Sequence, residues 1–361
     1  MTVFIAICSL LVLVILHELG HFLVARKFDV EVEEFGVGIP PRLWGKKFGE
    51  TLYSLNLLPL GAFVRMKGEE ARDNAPRSFS SKPVWQRFLI VGGGVAVFWV
   101  IAAVLLGVLA GTTGIPAAFA DDAENVKNPQ VRIVEVAADS PASAAGVQMG
   151  DIVQEVHSLS TGEEREISKV GHLQEAVERY AGTKIVLLLQ RGKEVMELEL
   201  VPREDPPAEQ GAIGVGLVRV GLFSVSWYEA PWQGVQMTGK LTGTVVMALG
   251  TLAGDLFGGK GMPPGVELRG PIGIVELAGD AVNLGAAYFF YFVALIAIYL
   301  AIFNTLPIPA LDGGRMFFLV LEAVRKKPLS ERTEHRAVAV SFGILLVMLL
   351  AVSAMDIFRF F

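Results

Sequence analysis

The stretch FIAICSLLVLVILHELGH, residues 4–21, combines the length of a membrane-spanning helix with ionisable side chains. Its last five residues follow the pattern H-E-x-x-H, with His17, Glu18 and His21. Residues four positions apart share one helix face, so both imidazoles can bind one metal ion. Glu18 lies beside them and is a candidate general base for a hydrolytic water. Ionisable groups in apolar helices usually mark function, although these residues could also simply end the helix near the lipid headgroups.

Composition places the chain among membrane proteins that also carry soluble parts. The 361 residues are 52% hydrophobic and 19% charged, and the mean hydropathy of +0.51 exceeds that of soluble domains. A formal net charge of -6 provides no basic field for nucleic acid. Cys8 is the only cysteine, which excludes an intrachain disulfide and a cysteine zinc site.

Four apolar windows of about 20 residues predict four membrane spans. They cover residues 4–25, 88–109, 286–303 and 337–357. The first span is expected to be retained, because it lacks the basic start and the A-x-A cleavage signal of a signal peptide. Leu241–Phe257 is shorter and contains several glycines and threonines, so we predict an amphipathic surface helix there, beginning at Gln233.

Basic residues near the span ends predict the orientation of the chain. Eleven lysines and arginines lie between the first two spans and six between the last two. Both connections are therefore expected on the cytoplasmic side, and the segment from about residue 111 to 285 on the other side. His17 then lies near the cytoplasmic end of its span.

Residues 35–66 differ from the span that precedes them. Residues 50–58 and 61–66 have the composition of strands and are joined at Pro59-Leu60. An apolar hairpin directly after the histidine-bearing helix predicts a re-entrant element, which membranes tolerate beside protein or a watery cavity. The alternative is a cytosolic hairpin without a role in substrate binding.

Residues 127–205 predict a separate soluble module. Ser140 and Pro141 are typical of a helix cap and a first helical position, and paired strands are predicted around residues 184–190 and 194–200. The signature S-P-A-x-x-A-G-V-x-x-G-D-I-V at residues 140–153 resembles a PDZ domain. Such domains bind extended peptides by strand addition, so a peptide or protein partner is expected here. Residues 211–216 are predicted to form a closing strand.

A second polar motif, NTLPIPALDGGR at residues 304–315, follows the third span. Its two prolines interrupt the helix, and broken helices at membrane depth often line polar sites. Asp312 is a candidate third zinc ligand, which would leave the fourth position for water. The alternative is that Asp312 is a helix cap before Gly313. The predicted topology returns Asp312 to the same side of the membrane as His17.

The combination of these motifs resembles the site-2 protease family of intramembrane zinc metalloproteases. H-E-L-G-H lies in the first span, N-x-x-P-x-x-x-L-D-G-G follows the third, and the PDZ-like module lies between the second and third. The similarity is greatest to the bacterial regulator-of-sigma-E protease branch and covers essentially the whole chain. Two features differ: Gly94 and Val97 replace the proline and asparagine of a G-P-x-x-N pattern, and the PDZ module occurs once rather than twice.

The expected fold class is a polytopic α-helical membrane protein with four transmembrane helices, a re-entrant β-hairpin and an inserted α+β PDZ domain. Residues 1–115 and 286–361 would form the membrane protease core, with the hairpin at about residues 35–66. The PDZ domain would cover residues 127–205. Residues 206–285 would contain the closing strand, the amphipathic helix and the return to the membrane.

The resemblance also implies the site residues and the cofactor. Zn2+ would be bound by His17, His21 and Asp312, with Glu18 as the base and Asn304 as a polar group that contacts the substrate. The edge of the hairpin would pair with the substrate, and the residues expected there are Leu55, Asn56, Leu57 and Leu58.

The implied function is cleavage of transmembrane segments in single-span membrane proteins, such as an anti-sigma factor or a remnant signal peptide. The location would be the bacterial inner (plasma) membrane, with the active site near the cytoplasmic side. The PDZ domain would be extracytoplasmic and would filter substrates by size or bind a cut end. The alternative is a catalytically inactive, membrane-anchored PDZ adaptor, which zinc stoichiometry would distinguish.

Overall fold

The structure is a computed structural model that describes residues 2–69, 73, 75–124, 126–192, 194–207, 210–261 and 269–358. The chain divides into two compact units. The first consists of residues 1–107, 231–282 and 289–361, and the second of residues 108–230 and 283–288. The first unit therefore carries both polar motifs, and the second carries the PDZ-like module.

Helices in the described residues include four that are long and apolar enough to cross a membrane. In chain order the helices are α1 (Thr2–Lys27), α2 (Val84–Gly111), α3 (Pro141–Ala144), α4 (Val170–Arg179), α5 (Ala230–Phe257), α6 (Pro271–Leu284), α7 (Ala286–Thr305), α8 (Asp312–Arg325) and α9 (Glu331–Phe358). The membrane-crossing candidates are α1, α2, α7 and α9. This confirms the four predicted spans, and the chain is a multi-pass membrane protein.

Strands in the described residues form two separate sheets. In chain order the strands are β1 (Val32–Phe48), β2 (Thr51–Met66), β3 (Ile115–Phe119), β4 (Lys127–Val136), β5 (Ile152–Ser158), β6 (Glu164–Glu166), β7 (Ile185–Arg191), β8 (Glu194–Leu200) and β9 (Val215–Phe223). β1 and β2 form a two-stranded sheet in the first unit. The second unit contains a seven-stranded sheet in the order β3-β9-β4-β5-β7-β8, with β6 paired to β5.

The helices of the first unit pack through an apolar cluster. Leu13 of α1, Phe98 of α2, Val245 of α5 and Ile298 of α7 are all buried in it. Small residues allow the helices to approach closely. At Gly20, for example, a Cβ would lie 2.5 Å from the carbonyl oxygen of Gly93. α1 and α2 therefore cross backbone to backbone at this point.

The amphipathic helix predicted over Gln233–Phe257 is α5, which begins three residues earlier and buries one of its faces while most of its other residues are exposed. α5 begins at Ala230, and Val245 is buried in the apolar cluster of the first unit. The hydroxyls of Thr238 and Thr242 donate hydrogen bonds to carbonyls four residues earlier, at 2.8 and 2.7 Å. Polar residues that suggested a surface helix therefore satisfy their hydrogen bonds within α5.

The hairpin pairs differently from the prediction. β1 and β2 turn between Phe48 and Thr51, not at Pro59-Leu60, and both predicted strand segments belong to β2. Residues 34–37 of β1 pair with residues 52–55 and also with residues 62–65. Gly36 permits this arrangement, because a Cβ there would lie 2.4 Å from the ring of Phe63. Gly36, Gly38 and Gly45 all lie within β1.

The second unit has the elements predicted for a PDZ-like module. Ser140 caps α3 by accepting a hydrogen bond from the amide of Ser143, and Pro141 occupies the first turn. Leu173 of α4, Ile185 and Leu187 of β7 are fully buried in one apolar core. The closing strand predicted at residues 211–216 lies later in the chain: residues 211–214 are outside any strand, and β9 covers Val215–Phe223. β3 was not anticipated.

Candidate metal centre

α1 places His17 and His21 on one face, one helical turn apart. Both side chains are buried, with 8% and 7% of their surfaces exposed. Their Nε2 atoms lie 3.2 Å from each other. Such a spacing is what the i, i+4 geometry of an H-E-x-x-H helix produces when both imidazoles are directed at one point.

The start of α8 brings Asp312 to the same point. Its Oδ2 lies 3.2 Å from Nε2 of His17 and 3.3 Å from Nε2 of His21. Gly313 and Gly314 pack α8 onto the preceding turn, because a Cβ would lie 2.1 Å from the carbonyl oxygen of Leu306 and 2.3 Å from that of Ile308 respectively. The cap of α8 is Leu311, so Asp312 is not the helix cap that the alternative required.

The three ligand atoms fit a zinc ion. Since each pair is 3.2–3.3 Å apart, an ion about 2.05 Å from all three would have ligand–ion–ligand angles of about 105°, close to tetrahedral. Asp312 Oδ2 is buried and lacks a hydrogen-bond partner within the described residues. Unpaired buried carboxylate oxygens are costly unless a cation satisfies them. The arrangement is consistent with a zinc site.

Two groups on α2 orient the histidines. The Nδ1 atom of His21 lies 3.0 Å from the carbonyl oxygen of Ile90, so a proton on Nδ1 leaves Nε2 free to bind a metal. The ring of His17 stacks on Phe98, with centroids 4.6 Å apart and planes inclined by 14°. α2 therefore fixes the rotamers of both imidazoles.

Gly94 of α2 provides the space that His21 occupies. A Cβ at this position would lie 2.2 Å from Nε2 of His21, which is far inside van der Waals contact. The glycine that departs from the G-P-x-x-N pattern is thus adjacent to a candidate ligand atom. Its neighbour Gly93 makes the helix crossing with Gly20 and Val24.

Ion pairs connect α8 to the rest of the first unit. Arg87 of α2 donates two hydrogen bonds to Glu322 of α8, at 3.1 and 2.5 Å, and both side chains are largely buried. Arg315, three residues after Asp312, pairs with Glu69. These contacts hold the helix that carries Asp312 against α2 and the end of β2.

The remaining predicted site residues lie in different surroundings. Glu18 is half-buried and interacts electrostatically with His17, His21 and Asp312. The side-chain amide of Asn304 donates a hydrogen bond to the carbonyl of Leu300 in its own helix, at 2.9 Å. No recorded contact of the described residues joins Asn304 to the three ligand atoms.

The hairpin residues divide into two kinds. Leu55, Leu57 and Leu58 are about half exposed, whereas Asn56 is buried and donates hydrogen bonds to the carbonyls of Val37 and Gly38. Leu55 pairs with both Val37 and Trp44 of β1. The sheet is therefore paired on both sides at Leu55, whereas Asn56 and Leu58 each pair with β1 on one side only, and contact of residues 55–58 with a substrate stays a prediction.

Sequence reasoning missed the groups of α2 that shape the site. Ile90, Gly94 and Phe98 are spaced by four residues along α2, so they share a face. All three are common in apolar spans and carry no polar signal. The glycine that breaks the family pattern is the one clue that the sequence offered.

Comparison with known proteins agrees with this geometry. Residues 5–349 match peptidase family M50. A Clostridium perfringens protein described as a zinc metalloprotease is 30% identical over 357 residues, covering 99% of this chain and 98% of its own length. A Nostoc protein of the same description is 31% identical, covering 96% and 93%.

A third relative carries a more specific description. The regulator of sigma-W protease RasP of Bacillus subtilis is 24% identical over 430 residues, covering 97% of this chain and 96% of its own length. The match to the family extends from the first span to the last, and so includes the helix of the two histidines and the helix of Asp312. This chain belongs to peptidase family M50, the site-2 type of zinc metalloprotease.

Proposed function

We propose that this chain hydrolyses peptide bonds within the transmembrane segments of single-span membrane proteins, using zinc held by His17, His21 and Asp312. The observation that supports the proposal is that the three ligand atoms lie within 4.8 Å of one another. Two of them belong to α1, a helix of membrane-spanning length. Suitable substrates are an anti-sigma factor or a remnant signal peptide. The name of the Bacillus subtilis relative, a regulator of sigma-W, supports the first of these.

Glu18 carries the proton transfers in this proposal. Zinc bound at the site supplies Lewis acidity, which makes water acidic enough to attack near neutral pH and polarises the scissile carbonyl. Glu18 accepts the proton of the attacking water and returns it to the leaving amine. The position of Glu18 directly after His17 in the H-E-x-x-H helix supports this role.

The substrate must be extended before it can be cleaved, because a helix hides its carbonyls in its own hydrogen bonds. We propose that the substrate adds a strand to the sheet of β1 and β2. Residues 61–66 pair with β1 on one side, so their other side is the candidate edge. The exposed Leu55, Leu57 and Leu58 then supply apolar side-chain contacts, and Asn304 a polar one.

The proposed setting is the bacterial inner membrane, with the PDZ-like module outside and the site near the cytoplasmic face. Basic residues between the predicted spans support this orientation. The module would bind or exclude the extracytoplasmic part of a substrate that another protease has already shortened.

Cleavage of a tagged single-span substrate by the purified chain in liposomes tests the proposal. We expect Glu18→Gln to bind about one zinc and to lose cleavage, because the amide cannot accept the proton. Glu197→Gln makes the same chemical change on exposed β8 and should leave cleavage unchanged. Full activity of Glu18→Gln would refute the role of Glu18, and an absence of zinc from the folded parent would refute the site.

A further inference from the structure

The sheet edge where a PDZ-like module takes up peptides is already occupied in this chain. β9 pairs with β4 on one side and with β3 on the other. β3 pairs antiparallel to residues 219–223, with Ile115 opposite Phe223 and Phe119 opposite Arg219. α4 lies against β9. A strand added to β9 beside a helix is how PDZ domains hold an extended peptide, so β3 occupies the position of a ligand.

Arg219 holds the chain immediately after β3. Its side chain belongs to β9 and is only 6% exposed. One guanidinium nitrogen donates hydrogen bonds to the carbonyls of Ala120, Asp121 and Ala123, at 3.1–3.2 Å. Nε donates to the carbonyl of Ser168, at 3.1 Å. All four acceptors of Arg219 are backbone carbonyls, and three of them lie in the turn that follows β3, so this arginine fixes the backbone of that turn independently of its side chains.

Asp121 attaches the same segment to the start of α4. Its two carboxylate oxygens accept hydrogen bonds from the amides of Val170 and Gly171, at 3.0 and 2.6 Å. Burial acts to raise the pKa of Asp121, but these amides and nearby Arg219 hold the pKa below its usual value. A carboxylate on the first turn of a helix is the interaction that a ligand's carboxyl group would make.

We propose that residues 115–123 are an internal ligand of the PDZ-like module. An extended peptide from a partner then binds to residues 219–223 of β9 only when this segment has left. Residues 215–218 of β9 pair with β4 but not with β3, so a partner peptide would first engage this short stretch and displace β3 as it lengthens. The inference rests on the proposed peptide-binding role of the module.

A labelled peptide with the chain's own sequence, residues 114–124 (GIPAAFADDAE), is the direct probe. It is titrated by fluorescence anisotropy against the full-length chain in detergent, in a Glu18→Gln background that prevents cleavage. The double variant Ile115→Asp, Asp121→Ala releases the internal segment, because Ile115 is fully buried and Asp121 caps α4. Asp122→Ala alters the exposed neighbour of Asp121 and is the matched control.

We expect the double variant to bind the peptide at least about tenfold more tightly than the parent and the Asp122→Ala control. Adding Arg219→Ala to the double variant should remove that gain. Retained hydrogen-exchange protection in β4 and β5 shows that the module of each variant is folded.

Equal affinity of the Glu18→Gln parent and the double variant for the peptide would overturn the inference. Failure of a folded double variant to bind the peptide would overturn it as well. Cleavage is measured separately, with proteins that retain Glu18. Loss of peptide binding with intact cleavage overturns the internal-ligand inference alone, whereas loss of zinc-dependent cleavage with intact peptide binding overturns only the proposed function.

Discussion

Two aspartates, one in each unit, have opposite environments. Asp151 of the PDZ-like unit is 1% exposed and accepts hydrogen bonds from the amide of Gln148 and from two nitrogens of Arg191, at 2.8–2.9 Å. Asp312 faces the Nε2 atoms of His17 and His21, and its Oδ2 has no hydrogen-bond partner among the described residues. The first carboxylate is fully satisfied by protein, and the second is not.

The difference separates a structural carboxylate from a ligand. Burying a charge is costly unless it is paired and hydrogen-bonded. Arg191 and Gln148 meet that requirement for Asp151, so its function is to hold the loop before β5. Asp312 Oδ2 instead faces the two imidazole Nε2 atoms at 3.2–3.3 Å, and a shared cation would join them to the carboxylate. In an apolar helix bundle, an incompletely satisfied carboxylate is thus the better marker of a site.

The largest contrast is expected from the same substitution at both aspartates. Asp312→Asn removes a charged ligand, so zinc affinity should fall by more than about 100-fold, since even groups that only support ligands are worth 10–100-fold, and cleavage should disappear. Asp151→Asn should keep zinc and cleavage while weakening the PDZ-like unit. Zinc content by mass spectrometry and cleavage of the model substrate measure both. Equal zinc loss in the two variants would contradict the contrast.

The partner of Asp151 offers the next largest effect. Arg191→Ala leaves a buried carboxylate without its cation, which should destabilise the second unit by about 3 kcal/mol. Arg165→Ala removes an ion pair with Glu175 that lies on the surface and should cost less than about 1 kcal/mol. Hydrogen exchange of the β5 amides compares the two variants. Similar losses in both would show that Asp151 does not depend on Arg191.

A substitution of Gly94 tests whether zinc binding depends on the space beside His21, which is a candidate ligand together with Asp312. Gly94→Ala places a methyl group where Nε2 of His21 lies, so the imidazole must move and zinc affinity should fall by about 10–100-fold. Gly92→Ala is the matched control, because its Cβ would meet only Met316 Sδ at an ordinary 3.6 Å. A competitive zinc titration measures both. Unchanged affinity in Gly94→Ala would mean that α2 shifts without cost.

The smallest effect is expected from acid. Burial acts to raise the pKa of Asp151, but Arg191 and the amide of Gln148 hold the pKa below its usual value. The unfolded state therefore binds more protons, and this part of the stability is present above about pH 4 and is lost as the pH falls through the folded-state pKa. Hydrogen exchange of β5 between pH 6 and pH 3 measures the loss. Asp151→Asn should remove this acid dependence. If the dependence persisted in the variant, groups other than Asp151 would be its cause.

Local patterns were sufficient for much of the fold. The four spans follow from apolar length, and the α3 cap and the β7–β8 pair follow from residues adjacent in sequence. The pairing of His17 with His21 follows from helical spacing alone. Asp312 needed only the additional rule that spans alternate in direction.

Features that depend on distant contacts could not be predicted in this way. Residues 34–37 of β1 lie between two segments of β2, and Gly36 fits beside the ring of Phe63, a residue 27 positions away in the sequence. β3 has little strand signal of its own, with Pro116 and two alanines, and exists because β9 and Arg219 hold it. The burial of one face of α5 likewise depends on partners from three other helices.

The covalent connection of β3 has a further consequence. β3 begins four residues after α2 ends, so it is never free to diffuse away from β9. A ligand tethered by a short linker acts at an effective concentration in the millimolar range. A free peptide of similar intrinsic affinity would therefore have to reach millimolar levels to replace β3. A substrate that is itself confined to the same bilayer does not face this barrier, so tethering alone would favour membrane-bound partners over soluble peptides of identical sequence.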